Sequence, residues 1–238
     1  VIFSDRFEDY LPVVFTRWEG LECYNYSPFI YARDCEKIAI TGPGLLNGNG
    51  QRWWPWKEQQ HDSGAIERLL KAEADGILVE DRVFGTPEYG LRPQFIQPVN
   101  CKNVWLEGFR LKDGAFWSVV PLYCENVIVR KLDIRTHHPN GDGVNSDSCR
   151  NVLIEYCHFE TDDDAVAIKS GKNEDGRRVG KPSENIVIRH CYSKGPRWGS
   201  ISIGSEMSGG VRNVYIKDVE FDGTLLGFQI KTKPGRGG

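Results

Sequence analysis

The sequence predicts an all-β solenoid, a parallel β-helix, and three observations predict it. First, a short pattern recurs in which a polar pair precedes Asn, then Val or Ile, then an alternating aliphatic run. It occurs as Cys101-Lys102-Asn103-Val104, Cys124-Glu125-Asn126-Val127, Cys149-Arg150-Asn151-Val152, Ser183-Glu184-Asn185-Ile186 and Val211-Arg212-Asn213-Val214. Cys35-Glu36-Lys37-Ile38 keeps the pattern with Lys in place of Asn. Second, the repeat asparagines are spaced by 23 to 34 residues, within the range of stacked supersecondary units. Third, each step carries a second apolar run, at 115–120, 143–145, 165–168, 200–203 and 227–230. These runs alternate with period two and show no helical period. Short strands divided by Gly, Asn, Asp and Pro turns suit coils that bury their inner faces against one another.

Each repeat element has a reason. The turn asparagine can stack on the asparagine of the next coil while its amide satisfies backbone groups of the turn. Cys101, Cys124 and Cys149 each stand two residues before a repeat Asn, and Cys35 two before Lys37, so one column of small buried side chains is expected. Seven cysteines are an odd number without paired short spacings, which argues against a disulfide framework and against zinc. The segment 47–94 interrupts the repeats. Within it Ala65–Ala74 reads as a helix decorating the surface, and Trp53, Trp54 and Trp56 read as a packing cluster. The chain is expected to be one β-helix domain over 1–238. It opens on Val1 and stops one strand past the last repeat, which suggests a fragment lacking its C-terminal coils.

Composition excludes some classes. With 30 Lys and Arg against 33 Asp and Glu, the chain lacks the basic excess of a nucleic-acid binder. No run of about 18 apolar residues exists to span a membrane.

The chemistry lies in three segments at a similar phase of the repeat: Asn140-Gly141-Asp142, Asp162-Asp163-Asp164 and Gln229-Ile230-Lys231. These groups, and Trp198, follow their repeat asparagines by 12 to 16 residues, so they are expected near one longitudinal line. Adjacent parallel strands lie about 4.8 Å apart, so carboxylates on neighbouring coils can sit about 5–9 Å apart. Two acids flanking one bond suit hydrolysis of a sugar linkage. Three consecutive aspartates beside Ala165-Val166-Ala167-Ile168 repel one another, which points to a function or a cation.

At these residues the chain resembles glycoside hydrolase family 28, the polygalacturonase family. The resemblance runs over 18–238 and is closest in 140–148, 161–171, 203–213 and Ile230-Lys231-Thr232. It implies a right-handed parallel β-helix, no cofactor and no metal, and hydrolysis of α-linked galacturonic acid in pectin with inversion. The family's Asn-Thr-Asp motif falls on Asn140-Gly141-Asp142 and its Gly-Asp-Asp motif on Asp162-Asp163-Asp164. The resemblance implies Asp163 as general acid, and Asp142 and Asp164 as the bases that orient water. It implies Lys231 as partner of a uronate carboxylate. The Gly-His-Gly motif is expected on Arg197-Trp198-Gly199, so Trp198 replaces the His, and Gln229 replaces the Arg of Arg-Ile-Lys. Either the subsites are redirected, for instance toward a rhamnose neighbour as in rhamnogalacturonan I, or the protein only binds pectin. A calcium-dependent pectate lyase, with Lys169 or Arg197 as base, and a non-catalytic tailspike-like solenoid are the other classes.

Several side chains stay open. Trp117 either lines the groove or fills the core. Lys169 either pairs with the acidic cluster or, with Asn140, Arg197, Trp198 and Gln229, contacts substrate. His137-His138 are either a solvated loop pair or a substitute for the missing imidazole, and His158 and His190 read as structural. The expected partner is an acidic plant polysaccharide or oligosaccharide, with no nucleic acid and no membrane. A monomer, secreted or periplasmic, is expected.

Overall fold

The computed structural model describes residues 1–86, 88–195 and 199–238. They form a parallel β-helix with three strand columns. The first holds Glu36–Thr41, Lys102–Glu107, Glu125–Arg130 and Arg150–Glu155, continued by the first halves of the long strands Ser183–Lys194 and Val211–Asp222. The second holds Leu45–Asn47, Arg110–Lys112, Asp133–Thr136 and His158–Thr161, continued by the second halves of the same long strands. The third holds Val144–Asp147, Val166–Lys169, Ile201–Gly204 and Phe228–Lys231. Single bridges extend it backwards through Val119 to Ile96.

Register makes each inward residue stack on its equivalent one coil away. Val104, Val127, Val152 and Ile186 form one buried row, and Leu106, Val129, Ile154 and Ile188 another. The corners between columns need left-handed backbone. Lys37, Asn103, Asn126, Asn151, Asn185 and Asn213 all have φ between 56° and 58°, a region that Asn tolerates better than most residues. The asparagine amides bond to one another rather than to turn backbone. Asn126 donates to Asn103, Asn151 to Asn126, Asn185 to Asn151 and Asn213 to Asn185, each at 3.0 Å. Beside this ladder runs the cysteine column: all seven cysteines are free, and the Cys124 N–H donates to the Cys149 sulfur at 3.3 Å.

The segment 47–94 is not a surface decoration. Trp53 and Trp56 join the main core with Tyr10, Tyr26 and Phe29. Ala65 and Leu69 of the helix Ala65–Ala74 build a second core with Trp18, Leu21, Phe84, Leu91, Phe116, Trp117 and Val120. The helix is amphipathic because it has this partner, which sequence periodicity could not name. The antiparallel hairpin of Val14–Trp18 and Leu21–Asn25 is clamped over the third column by Arg17, which donates to Asp147 at 2.7 Å. The long repeat step between Asn151 and Asn185 holds a short helix, Asn173–Val179, that was not expected. Its Asp175 accepts from the Glu22 N–H at 2.7 Å and so anchors the hairpin. Among the described residues no helix is long and apolar enough to cross a membrane.

The ladder yields a stability prediction. Asn151→Ala loses two amide bonds and places Ala in left-handed backbone, for a loss of about 2 kcal/mol. Asn151→Gly relieves the backbone part and recovers about 1 kcal/mol. Urea unfolding of both variants checks this, and equal losses would show that the backbone term is negligible.

Candidate active site

Asp142 and Asp164 each stand two residues before a strand of the third column. The pairing Val144↔Val166 brings them side by side, and the Gly143 N–H donates to the Asp164 carbonyl at 2.9 Å. Gly143 is required for this approach: a Cβ there would meet the Ala165 carbonyl at 2.4 Å and the Phe159 ring at 2.6 Å. Asp163 lies beside them, its carbonyl accepting the Gly199 N–H at 2.9 Å. The nearest carboxylate oxygens of Asp142, Asp163 and Asp164 all lie within 4.8 Å of one another. That is tighter than strand spacing suggested, because Asp142 and Asp164 occupy directly paired positions. Asp162 is not in the cluster; it turns outward toward His137, 3.7 Å away.

The three carboxyls have different surroundings. Asp164 is buried and accepts from Ser200 at 2.8 Å, Ser202 at 2.6 Å and Gln229 at 3.3 Å on one oxygen, and from Lys231 at 2.5 Å on the other. Asp142 is 2 % exposed, and its Oδ1 has no partner among the described residues. Burial, then the neighbouring charge of Asp163, pushes its carboxyl well above the ordinary range, against the opposing pull of Lys169. Asp163 is half-buried and also raised, by burial and then by Asp164, with Lys231 opposing. Its Oδ1 accepts the Asp164 N–H at 2.9 Å.

The basic segment does not lie on the line of the aspartates. Gln229 is in register with Ser202, Ala167 and Asn145, and Lys231 with Gly204. Both are therefore further along the strands than Asp164 and reach back to it by side-chain length. Offsets counted from the repeat asparagines hid this, because the intervening turns differ in length. Gln229 also donates to Ser200 at 2.8 Å, so its amide braces Asp164 rather than standing free.

Lys169 is 3 % exposed, donates to Glu206 at 2.8 Å and lies 4.6 Å from the centre of the Trp117 ring. Its ammonium is thus committed, and it acts on Asp142 through charge rather than by reaching outward. Burial would lower its pKa, but Glu206 and Asp142 more than offset this and raise it. Glu206 is buried too, yet Lys169 holds it down at about 2. Trp117 is core: it stacks on Phe116, which stacks on Trp18.

His137 is exposed beside Glu160 and Asp162, whereas His138 is buried, stacked on Trp54, and lowered to about 4 mainly by burial. The expected solvated pair is therefore split, and His138 is neutral at ordinary pH. His158 packs edge-on against Tyr192 and His190 stacks on Tyr156. Asn140 has φ 56° and accepts from Arg92 at 2.7 Å. Arg197 and Trp198 lie outside the described residues.

Sequence reasoning missed Ser200, Ser202, Asn145, Glu206 and Arg92. The serines were legible in principle, since they alternate with Ile201 and Ile203 and so share the face of Gln229. Asn145 lies in that same row, fully buried with both amide atoms unpartnered among the described residues. Glu206 lies inside the closely resembling segment 203–213 without having been singled out, and Arg92 carried no signal, because nothing in the repeat phase tells where it folds back.

The model for glycosyl hydrolases family 28 matches residues 86–238. The chain belongs to that family. It is 31% identical over 217 residues to a probable polygalacturonase of Vitis vinifera, covering 90% of this chain and 39% of that relative. It is 43% identical, with a TM-score of 0.96, to the crystal structure of a hyperthermoactive exopolygalacturonase from Thermotoga maritima, covering 100% of this chain and 56% of that one. Against the polygalacturonase of Erwinia carotovora ssp. carotovora it is 26% identical with a TM-score of 0.66, covering 92% of this chain and 52% of that one. The chain thus spans about half or less of the length of these family members.

A raised carboxyl binds its proton more tightly folded than unfolded. Asp142 therefore destabilises the fold as pH rises from the unfolded value, about 3.9, through its higher folded value. Asp142→Asn should stabilise the protein at neutral pH by on the order of 1 kcal/mol, with the gain vanishing below about pH 4. Denaturant midpoints at the two pH values check this; a gain that persists in acid would show that charge is not its source.

Proposed function

We propose that this chain carries the catalytic groove of a glycoside hydrolase that cleaves α-linked galacturonic acid in pectin. The observation that supports this most is the set of three carboxylates within 4.8 Å on adjacent coils, each in a different environment. Environments that differ separate the roles of like groups. Asp163 and Asp142 raise the cluster's affinity for a proton, and Asp163 is the most exposed of the three. Asp163 therefore donates the proton to the glycosidic oxygen. Asp164, held as an acceptor by four donors, and Asp142, with a free oxygen, orient the water that attacks the anomeric carbon. Lys231 is one-third exposed, and an ammonium has three donors. It can bond Asp164 and still meet a uronate carboxylate.

The stack of Trp18, Phe116 and Trp117 fills the coil immediately before Asp142. An end-directed mode of cleavage is supported by the likeness to the Thermotoga maritima exopolygalacturonase, 43% identical to this chain. Polymeric substrate of this kind places the working protein outside the cell or in a periplasm.

Reducing-sugar release from polygalacturonate should proceed equally with and without chelator and fall about 10²- to 10⁴-fold in Asp163→Asn. Early product should be monogalacturonate of inverted anomeric configuration, read by proton NMR. Rhamnogalacturonan I is the comparison polymer. Chelator-sensitive formation of an unsaturated product would replace the hydrolase with a lyase, and binding without any release would replace it with a pectin-binding role.

A further inference from the structure

Arg92 is a guanidinium enclosed by protein: it is 1 % exposed. Among the described residues it makes no ion pair. Its donors go instead to neutral acceptors. Nη2 donates to Asn140 Oδ1 at 2.7 Å, and Nη1 to the carbonyls of Pro139 at 2.8 Å and Ala115 at 3.4 Å. Nε donates to Gln60 Oε1 at 3.3 Å, which also accepts the Arg92 backbone N–H at 2.8 Å. The guanidinium carbon lies 4.9 Å from the centre of the Phe116 ring. Burial lowers the group to about 10, so it remains charged at neutral pH. A buried cation bonded only to neutral acceptors is costly, and this one faces the loop that carries Asp142.

That loop is pinned at its backbone: the Gly141 N–H donates to the His138 carbonyl at 3.1 Å, and the Asp142 carbonyl accepts the Ser118 N–H at 3.0 Å. Asn140 is in left-handed backbone, Thr136 donates to the Gly141 carbonyl, and a Cβ on Gly141 would meet Thr136 at 2.8 Å. Arg92 grips the loop at two successive residues just before the aspartate. Gln60, on the helix Trp56–Asp62, fixes Arg92 in turn. A strut therefore runs from the inserted segment through Gln60, Arg92 and Asn140 to Asp142.

We propose that Arg92 is a positioning residue for Asp142, holding the 139–142 turn with its fork and favouring the ionised aspartate with its charge. This rests on the reading of Asp142 as a working carboxylate. The charged groups that act most on Asp142 are Asp163 and Asp164 from the turn before Val166–Lys169 on the next coil, Lys169 at the end of that strand, and Lys231 from Phe228–Lys231; Asp142 in turn acts on Arg92. Those around Arg92 are Glu19 at the hairpin turn, Glu58 on the helix Trp56–Asp62, His138 and Asp142. Removing the cation should raise the proton affinity of Asp142 further, so the acid limb of the activity profile moves to higher pH.

The test compares Arg92→Met, Arg92→Lys and Asn140→Ala with wild type, at low salt. Two readouts are taken: the pH profile of kcat and KM on polygalacturonate, and titration of Asp142 by carbon-13 NMR, assigned with Asp142→Asn. Arg92→Met should lower kcat about 10- to 100-fold with KM little changed, and shift both the acid limb and the Asp142 titration upward. Arg92→Lys, which keeps charge without the fork, should restore the titration but only part of kcat. Asn140→Ala keeps the buried cation and should lower kcat without moving the titration. The proposal is overturned if folded Arg92→Met keeps the wild-type kcat and titration, or if Lys and Met shift the titration equally. Should Arg92→Met not fold, wild-type kcat in both Arg92→Lys and Asn140→Ala overturns it. If wild type hydrolyses no polygalacturonate, the functional reading fails, while the Asp142 titration still decides whether Arg92 sets its charge.

Discussion

Everything in this molecule depends on parallel, in-register stacking of coils, with each residue about 4.8 Å from its equivalent on the next. Such stacking multiplies whatever a position contains. Apolar positions become continuous rows of Val, Leu and Ile. Asparagines become a ladder in which each inner amide is both donor and acceptor, so a corner that strains the backbone also contributes cross-coil bonds. A carboxylate repeated on the next coil becomes a pair of like charges, which is unfavourable unless something compensates it.

The site is where that last consequence is used. Asp142 and Asp164 are neighbours for the same reason that Val144 and Val166 are. Their repulsion is relieved unevenly. Lys231, two serines and Gln229 converge on Asp164, whereas Asp142 is left buried with an unpartnered oxygen. Two cations act on the cluster: Lys231 along its own column, and Lys169, held against Trp117. Glu206, by holding Lys169, keeps one of these charges from collapsing onto the carboxylates. The result is one group of three aspartates in unequal surroundings, with Asp142 and Asp163 raised by burial and by their neighbours' charge.

The repeats made part of this architecture readable. The asparagine and cysteine columns were legible because each recurs at one phase, and in-register coils turn a shared phase into contact. Asp142, Asp163 and Asp164 were legible as a cluster for the same reason. Gln229 and Lys231 were expected near the aspartates, but not as braces of Asp164, since turn lengths between the repeat asparagine and the third column vary from coil to coil. Asp162 was grouped with its neighbours in sequence, although alternation along the chain sends it to the outer surface. His138 was paired with His137, yet the inserted segment covers one and not the other.

The sequence by itself determined the solenoid, its registering columns and the three aspartates, because these follow from periodicity and local turn chemistry. Only the tertiary structure decided how the aspartates differ from one another. That difference comes from burial and from groups with no fixed phase, such as Glu206 beyond a strand end, which holds Lys169 beside the cluster. Proton affinity depends on burial and on charges within several ångströms, and such neighbours are set by where non-repeating chain folds back.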